Sequence, residues 1–403
     1  MAGNVNINRS FITLLSYGIL IFIIIYLLFF QPRTITMQAD EFYAVMKPQC
    51  PVFKCSENGS QQIQQFLNCS NENENLLEKA YERKYIGCNF WAVGGIGNQI
   101  WRFASLYGLG RFTGRHPYFE ARNPPQMERL MEIAEVFPMM HEILQVKNPP
   151  DSIIKKYHFA DDCCKFDNPK KLLGLPEKYV KIAGDYMQSY KFFHPYRDEI
   201  RKVYDCGPTV KASAALFSND LYKNDTSLKL CAHIRRGDFI KDIMLESKED
   251  FTIPALRYAF NYLKEKEKKN ISMTFIGNDR DFVTNLSLAD VGFFQIYTPE
   301  AKSRGEDMCF GINHCDAMVL TASGSTFGWW IAYLMKPNSP IFYNSQITDN
   351  ADFTKDVHDF DIFPEEWIML TSKDGKAEHE TKWWHQRKNK PPDLPSDKMD
   401  PWT

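Results

Sequence analysis

The sequence predicts an α/β fold built on two parallel sheets, because strand and helix patterns alternate in two separate blocks of the chain. The first block opens with the apolar run at residues 86–93 (IGCNFWAV). The second opens with residues 228–234 (LKLCAHI), and a helical pattern at 253–268 and a strand pattern at 272–276 follow. Such alternation gives right-handed βαβ units. We therefore expect two facing sheets, with a cleft at the carboxyl ends of their strands.

The first helix should follow a glycine turn at residues 94–97. Apolar residues at helical spacing predict that one face of this helix packs on the core. The stripe consists of Ile100, Phe103, Ala104, Tyr107 and Arg111. In the second block, residues 307–319 and 326–335 also have helical patterns.

Residues 11–30 (FITLLSYGILIFIIIYLLFF), from Phe11 to Phe30, contain no charged side chain. At 1.5 Å per residue, a helix of this length spans about 30 Å, the thickness of the hydrocarbon core of a bilayer. The apolar region of a cleaved signal peptide is shorter, at about 7–15 residues, and ends in a small-residue cleavage site, whereas Gln31 and Pro32 follow here. The segment is therefore predicted to be a membrane-spanning signal anchor.

Five N-glycosylation sequons and all ten cysteines follow this apolar segment. Both features are typical of the lumen of the secretory pathway. We therefore expect a type II membrane protein, with residues 1–10 in the cytosol and the remainder in the lumen. The acceptor asparagines are Asn58, Asn68, Asn224, Asn270 and Asn285.

The luminal part is predicted to comprise a stem, two domains and a tail. Residues 31–85 are polar and form the stem, whereas residues 86–225 and 226–372 carry the two α/β blocks. Residues 373–403 are charged and are expected to form a loose polar tail.

Most of the cysteines are expected to form disulfides, although the sequence does not give their pairing. Cys309, His314 and Cys315 lie close together but lack the usual spacing of zinc ligands. Disulfide pairing is therefore preferred over a metal site for these two cysteines.

The charge balance requires that any anionic ligand be held by a local cluster of side chains. The formal net charge is −2, which gives no bulk attraction for nucleic acid. Within residues 233–238 (HIRRGD), Arg235 and Arg236 follow the predicted strand end, and guanidinium groups match phosphate oxygens in pairs. Spacing alone does not distinguish a diphosphate site from a solvated basic pair. An integrin-type RGD motif is disfavoured, because the tripeptide follows a buried strand.

Three further segments contain residues suited to binding. The glycine turn at 94–97 leads into a helix, whose free amides can bind an anion. Small hydroxyl residues at 321–326 precede another helix, whose two tryptophans are expected to be core residues. Two Asp-x-Asp pairs, at 279–281 and 359–361, are short enough to occur by chance, and each is weak evidence for a metal.

Together and in this order, these segments resemble the α1,2-fucosyltransferases and, more distantly, the α1,6- and protein O-fucosyltransferases. The resemblance covers residues 87–344. Residues 94–99 (GGIGNQ) are similar to the family's Gly-Arg-x-Gly-Asn-Gln turn, and residues 233–238 match its His-x-Arg-Arg-Gly-Asp motif. Residues 275–279 (FIGND) and 323–330 (SGSTFGWW) are similar to two further family segments.

The resemblance implies two facing Rossmann-like domains of the GT-B type, the first on the acceptor side and the second binding GDP-fucose. It implies inverting transfer of L-fucose from GDP-β-L-fucose to the 2-hydroxyl of a terminal β-galactose, without a metal or other cofactor, in the Golgi membrane. It assigns Arg235 and Arg236 to the diphosphate, and it leaves Asp238 as either the base or a partner of Arg236. The donor-binding residues that it implies are His233, Gly94, Gly97, Asn98, Gln99, Asp307, Ser325 and Thr326.

Three positions depart from the family pattern. Gly95 stands where the family usually has arginine, so one donor contact is either lost or supplied elsewhere, and Gly324 and Ile331 differ from the commonest form of the last segment. The alternatives are another GDP-fucose-dependent transferase with a different glycan or protein acceptor, a non-catalytic luminal sugar-binding relative, and a structural membrane protein. Dimerisation through the stem is left open.

Overall fold

The computed structural model describes residues 83–394, apart from 89–93, 121, 123, 183, 185, 242 and 278. None of the helices in this part of the chain combines the length and apolar character needed to cross a bilayer. The predicted cytosolic tail and membrane span, most of the stem, and the sequons at Asn58 and Asn68 lie outside the described residues.

Five short parallel strands form the first sheet. In chain order they are β1 (Tyr85–Gly87), β2 (His116–Phe119), β3 (Gln145–Val146), β4 (Ile154–Tyr157) and β5 (Tyr179–Ile182). Their spatial order is β3-β2-β1-β5-β4, which places β1 at the centre. The helices of this half are α1 (Ile96–Thr113), α2 (Pro124–Val136), α3 (Pro138–Ile143), α4 (Arg197–Val203) and α5 (Pro208–Tyr222).

Seven strands form the second sheet, in the order β12-β11-β10-β9-β6-β7-β8, and all neighbours are parallel except β11 and β12. The strands are β6 (Leu228–Ile234), β7 (Ile271–Gly277), β8 (Ile296–Tyr297), β9 (Ala317–Leu320), β10 (Ile341–Asn344), β11 (Ile368–Lys373) and β12 (Lys376–His379). The helices are α6 (Glu249–Lys266), α7 (Arg280–Thr284), α8 (Arg304–His314), α9 (Thr326–Leu334), α10 (Phe353–Asp356), α11 (Asp359–Ile362) and α12 (Trp384–Lys388). Short 3₁₀ helices lie at Asp151–Ile153, Pro169–Leu172, Tyr190–Phe192, His194–Tyr196 and Gly237–Lys241. The predicted α/β class with two parallel sheets is confirmed.

Helix α1 is buried on nearly all sides, and not only along the predicted stripe. Gln99, Arg102 and Ser105 are buried together with the apolar residues of the stripe. The reason is that α9 packs against the helix, where Trp101 and Trp329 lie 4.0 Å apart between ring centroids. The apolar periodicity of a helix predicts the face that packs on the core. It does not predict that a second element will cover the opposite face.

The predicted helix at residues 307–319 is wrong at both ends. Helix α8 starts at Arg304, because Ser303 and Glu306 form a capping box. It ends at His314, and residues 317–320 form β9 between β6 and β10. A short apolar run such as AMVL fits either a buried strand or a helix, and the pairing with two neighbouring strands decides the matter here.

The expectation of a loose tail from residue 373 is wrong for residues 373–394. These residues complete β11, add β12 and form α12, in which Trp384 is 1% exposed. The buried carboxylate of Asp359 accepts hydrogen bonds from the amides of Trp384 and His385, at 2.5 and 3.1 Å. The polar composition of the segment did not predict this, because one buried tryptophan and two backbone hydrogen bonds are enough to hold it on the fold.

Three disulfides join described cysteines. Cys206 pairs with Cys309, Cys231 pairs with Cys315, and the adjacent Cys163 and Cys164 form the third. The preference for disulfides over a zinc site at Cys309 and Cys315 is confirmed.

Helix α5 packs with the second half of the chain, although the predicted boundary after residue 225 assigns the helix to the first domain. The rings of Phe217 and Phe310 lie 5.2 Å apart. The hydroxyls of Tyr222 and Thr274 lie 3.0 Å apart, which connects the end of α5 to β7.

Candidate active site

The arginine pair emerges from the middle of the second sheet. Strand β6 lies between β9 and β7, and His233 and Ile234 are its last residues. Arg235 and Arg236 therefore lie at the carboxyl edge, as the sequence predicted. Gly237 has a φ of 57°, a backbone conformation that glycine adopts without steric cost, and it begins the 3₁₀ turn Gly237–Lys241.

The guanidinium of Arg236 is held from two sides. Its Nε donates to Asp279 Oδ2 at 3.0 Å, and its Nη1 donates to the carbonyl oxygen of Ser247 at 2.7 Å. It also lies 4.4 Å from the centroid of the Phe282 ring. Asp279, the last residue of the FIGND segment, thus holds an arginine in place. No local pattern in the sequence indicates Ser247, because the residues that it contacts, at 235, 236 and 321, are not its neighbours along the chain.

Arg235 has a different carboxylate partner. Its Nη2 lies 2.6 Å from Asp238 Oδ2, whereas one of the two roles expected for Asp238 is that of a partner of Arg236. That alternative is wrong, because the turn at Gly237 directs Asp238 back toward Arg235. The side chain of Arg235 is 33% exposed, so part of its guanidinium is available to a ligand.

His233 is buried, with an exposed fraction of 2%. Its Nδ1 has no hydrogen-bond partner within the described part of the chain. A Cβ added at Gly328 would lie 2.5 Å from this nitrogen, so the glycine gives the ring its space. The ring also lies 5.7 Å from that of Phe327 at the start of α9. The imidazole therefore sits between β6 and α9, with one polar atom unsatisfied.

Lowering the pH should destabilise the protein through His233. Burial, together with the charge of Arg235, lowers the pKa of His233 to about 3 from 6.5. Between these values the unfolded chain binds a proton that the folded chain does not, so the free energy of unfolding falls as the pH decreases through this window. We expect the unfolding temperature to fall less steeply between pH 6.5 and 4 in His233→Gln than in the wild type.

The matched control for this pH experiment is His158→Gln, because the His158 side chain is 95% exposed. The control should keep the wild-type slope. If His233→Gln had the wild-type slope as well, buried neutral His233 would not contribute to acid sensitivity.

The glycine turn and the N-terminus of α9 meet directly. A Cβ added at Gly97 would lie 2.6 Å from Thr326 Oγ1 and 2.9 Å from the backbone nitrogen of Phe327. The indole of Trp330 donates to the carbonyl oxygen of Gly97 at 3.0 Å. Gly94 has a φ of 89°. The structure thus brings together two segments that lie more than 200 residues apart in the sequence.

The polar side chains that follow this turn have protein partners. Asn98 Oδ1 accepts from Gln188 Nε2 at 3.1 Å, and Gln99 Oε1 accepts from Arg102 Nη1 at 3.3 Å. Gln99 is buried, whereas Asn98 is half-buried beside Gln188. Of the two, Asn98 is therefore the better placed for a ligand.

In the serine and threonine segment, Thr321 and Ser323 use their hydroxyls within the fold, whereas Ser325 and Thr326 lie at the start of α9. Thr321 Oγ1 donates to the carbonyl oxygen of His233 at 2.7 Å, and Ser323 Oγ donates to that of Asn344 at 2.6 Å. Ser325 is the N-cap residue of α9, without a side-chain capping bond, and Thr326 is the first residue of the helix. Trp329 and Trp330 are 1% and 0% exposed, which confirms that they are core residues.

The sequence model of glycosyl transferase family 11 matches residues 57–371. The chain belongs to this family. A galactoside 2-alpha-L-fucosyltransferase of Caenorhabditis elegans is 27% identical over 339 residues, which cover 77% of this chain and 83% of that relative. A galactoside alpha-(1,2)-fucosyltransferase 2 of Sus scrofa is 26% identical over 286 residues, which cover 69% and 78%. The structure of an Arabidopsis thaliana FUT1 mutant in complex with GDP matches with a TM-score of 0.42 and 11% identity over 75% of this chain and 74% of that one.

The family match confirms the resemblance to α1,2-fucosyltransferases and the assignment as a glycosyltransferase. It also makes the departure at Gly95 informative. Arg304, the first residue of α8, places its Nη1 3.9 Å from where a Cβ of Gly95 would lie. Its Nη2 forms an ion pair with Glu132 Oε1 at 2.6 Å, and its side chain is 53% exposed. In this family 11 glycosyltransferase, a guanidinium therefore reaches the glycine turn from a different element, which the sequence did not reveal.

Gly324 and Ile331, the other two departures from the family pattern, fit the residues that surround them. A Cβ at Gly324 would lie 2.8 Å from Met244 Sδ. Ile331 is fully buried, and it packs so closely on α8 that a Cβ at Gly311 would lie 2.5 Å from its Cγ2. Both positions thus reflect packing within this glycosyltransferase.

Asp307 lies in the first turn of α8, one turn after Ser303. Its Oδ1 accepts a hydrogen bond from the amide of Lys302 at 3.0 Å. Burial raises the pKa of this carboxyl group. The residue is half-buried, and it lies three residues after Arg304 on the same helix.

The second Asp-x-Asp pair is structural. Asp359 binds the amides of α12, and Asp361 pairs with Lys191 at 2.7 Å and accepts from the amide of Phe166 at 2.9 Å. Both carboxylates are buried, so their oxygens are committed to protein partners.

The surface near the arginine pair contains a cavity of about 570 Å³. It is lined by the turn that follows Asp238 and by the segment that precedes α6, including Phe239, Ile240 and Lys248. Ile240 is 49% exposed. The three described sequon asparagines, Asn224, Asn270 and Asn285, are exposed, so their glycosylation remains a prediction that the fold permits.

Proposed function

We propose that this chain transfers L-fucose from GDP-β-L-fucose to the 2-hydroxyl of a terminal β-galactose, with inversion at the anomeric carbon and an α1,2 linkage in the product. The observation that carries the proposal is the pair Arg235 and Arg236 at the carboxyl end of β6, each oriented by its own carboxylate. The relatives named galactoside 2-alpha-L-fucosyltransferases support the choice of donor and acceptor.

The donor would lie between the two sheets, in a GT-B arrangement. Arg235 and Arg236 would bind the diphosphate, with Ser325 and Thr326 at the amide-rich N-terminus of α9 close by. His233 and Asp307 would contact the guanine. Gly94, Gly97 and Asn98 of the glycine turn would line the donor site on the side of the phosphates. Gln99 would support this turn from the interior.

In the reaction, the galactose 2-hydroxyl oxygen would attack the anomeric carbon of fucose from the face opposite GDP. The bond from this carbon to the β-phosphate oxygen would break, and the fucosyl group would carry oxocarbenium character. Negative charge would grow on the departing diphosphate, where the two guanidinium groups stabilise it without needing to reorganise. Positioning of the two substrates would supply the other large contribution.

The proton of the attacking hydroxyl needs an acceptor. Asp238 is the carboxylate nearest to the diphosphate site by sequence, but it is ion-paired with Arg235. We propose that its main role is to orient Arg235, and we do not assign a base. An exposed ion pair contributes little to stability, so Asp238→Asn should leave the fold intact.

Metal independence is part of the proposal, because two arginines at the diphosphate provide the positive charge that a divalent ion provides in other transferases. The rate should not rise when Mg²⁺ or Mn²⁺ is added after treatment with EDTA. A several-fold rise would contradict this part of the proposal.

The acceptor galactose would bind in the cavity beside Asp238, where Phe239 and Ile240 offer an apolar face to a sugar ring. We further propose that the enzyme is a single-pass type II protein of the Golgi membrane, with residues 11–30 as its anchor. Protease protection of intact vesicles would test this topology, since a protected carboxyl-terminal part is expected. Chemical cross-linking of the same vesicles would show whether the chain dimerises.

The function is tested with the full chain in detergent and labelled GDP-fucose, against β-galactosides, core N-glycans and peptides. We expect transfer to β-galactosides, and release of the label by an α1,2-specific fucosidase. Transfer only to a peptide or a core N-glycan would establish a different fucosyltransferase. Binding of GDP-fucose without transfer to any acceptor would favour a non-catalytic sugar-binding protein.

Replacing Arg304 by Ala should weaken use of the donor, because its guanidinium lies beside the glycine turn. Loss of one hydrogen bond to a charged group costs roughly 1.5–3 kcal/mol, which corresponds to about 10–100-fold in kcat/KM. We expect the loss mainly in the KM for GDP-fucose. Since Arg304 also pairs with Glu132, Glu132→Gln is the control, and it should retain most of the activity. Equal losses in the two variants would mean that Arg304 acts only through this ion pair.

A further inference from the structure

A second cluster of polar side chains lies outside the site described above. His358 stands between α10 and α11, His385 lies in α12, and Asp393 follows that helix. One ligand atom from each of the three residues lies within 4.8 Å of the other two. The cluster connects the carboxyl-terminal segment to the residue that precedes α11, the helix that contains Asp361.

The Nδ1 atoms of both imidazoles have acceptor partners. His385 Nδ1 lies 3.0 Å from the carbonyl oxygen of Val357. His358 Nδ1 lies 3.2 Å from Asp361 Oδ2, and Asp361 is paired with Lys191. A carbonyl oxygen or a carboxylate only accepts, so each Nδ1 has a partner to which it can donate, although Asn389 Nδ2 also lies 3.0 Å from His385 Nδ1. In the tautomer that carries its proton on Nδ1, each ring presents a lone pair on Nε2.

These two Nε2 atoms converge on one carboxylate oxygen. Asp393 Oδ2 lies 2.9 Å from His358 Nε2 and 3.6 Å from His385 Nε2. Ligands at about 2.0–2.1 Å from a tetrahedral Zn²⁺ lie about 3.3 Å from one another. The three ligand atoms lie within 4.8 Å of one another, so their wider separations would shorten on metal binding. The backbone amide of Asp393 lies 3.3 Å from His385 Nε2, and metal binding would replace this long contact.

The surroundings fit a bound cation. His385 and His358 have side chains that are 2% and 14% exposed, whereas that of Asp393 is 64% exposed. A divalent cation between the two Nε2 atoms and the carboxylate oxygen would be bound by all three. Two imidazoles and a carboxylate form a ligand set typical of zinc, and a water molecule on the exposed side can complete a tetrahedron. Partners that fix the other ring nitrogen, as Val357 and Asp361 do here, are typical of metal-binding histidines.

We propose that His358, His385 and Asp393 form a structural zinc site that fastens the carboxyl-terminal segment to the start of α11. Through Asp361 this helix also binds Lys191 and the amide of Phe166, in the first half of the chain. The site therefore stabilises the fold, and it takes no part in the proposed sugar transfer.

The proposal is tested on the full chain in detergent, produced without a histidine tag and stripped of metal. We expect one equivalent of Zn²⁺ to bind per chain by elemental analysis, and Co²⁺ to give the visible absorption of a four-coordinate complex. Zn²⁺ should raise the unfolding temperature, and EDTA should reverse this rise. Absence of stoichiometric zinc binding would overturn the proposal, and the cluster would then be an ion pair of protonated His358 with Asp393.

Variants locate the bound metal. Asp393→Asn removes the exposed ligand's charge without a change in size, so the chain should fold, and we expect at least about a tenfold loss of zinc affinity. His385→Ala should abolish binding. His158→Ala is the matched control, because His158 also contacts a carboxylate, that of Asp161 at 2.9 Å, but belongs to no cluster of three candidate ligands among the described residues. Zinc affinity unchanged in Asp393→Asn, or lost equally in His158→Ala, would place the metal elsewhere and overturn the assignment.

Discussion

Arg236→Ala should lower kcat/KM for fucosyl transfer by about 10²–10³-fold while leaving the protein folded. The reason is that Arg236 presents a guanidinium to the leaving diphosphate in a fixed orientation. Asp279, the carbonyl oxygen of Ser247 and the ring of Phe282 hold it before any ligand binds. Steady-state rates with GDP-fucose, together with an unfolding curve, provide the measurement.

Arg235→Ala should cause a comparable loss, although Arg235 is the more exposed of the two and is held by Asp238 and the Phe239 ring. The control is Arg257→Ala, which removes another arginine paired with an aspartate, Asp290, on the surface of α6. It should have wild-type activity. Full activity in the double variant of Arg235 and Arg236 would contradict the assignment of the donor site.

Gly97→Ala should damage both stability and activity. Its Cβ would lie 2.6 Å from Thr326 Oγ1 and within 2.9 Å of two backbone atoms, and a backbone cannot move aside as a flexible side chain can. Overpacking of this kind typically costs about 1–3 kcal/mol of stability. Separation of α1 from α9 would also shift the glycine turn relative to the arginine pair, and a misplacement of about 1 Å can cost about 10²-fold in rate.

Gly95→Ala is the matched control for this substitution, because it lies at the same helix terminus. Its φ is −76°, and its nearest neighbour would be Arg304 Nη1 at 3.9 Å. Activity and unfolding temperature should therefore be close to those of the wild type. If Gly97→Ala and Gly95→Ala had the same activity and unfolding temperature, the contact between Gly97 and Thr326 would not position the two halves of the site.

Local patterns in the sequence predicted the α/β class, the position of the arginines after β6, the core role of Trp329 and Trp330, and the disulfide state of Cys309 and Cys315. These predictions succeed because strand patterns, strand ends and cysteine spacing depend on neighbouring residues. The same reasoning failed for residues 317–320, where only pairing with β6 and β10 selects a strand.

The sequence by itself determined that a pair of guanidinium groups follows a buried strand in a glycosyltransferase chain, since those residues are contiguous. Only the tertiary structure decided what orients each arginine, that Arg304 reaches the glycine turn, and that Gly97 touches Thr326. The physical reason is distance along the chain. Contacts between residues tens to hundreds of positions apart arise when whole helices and sheets pack, and no local pattern encodes which of the many polar residues will then meet.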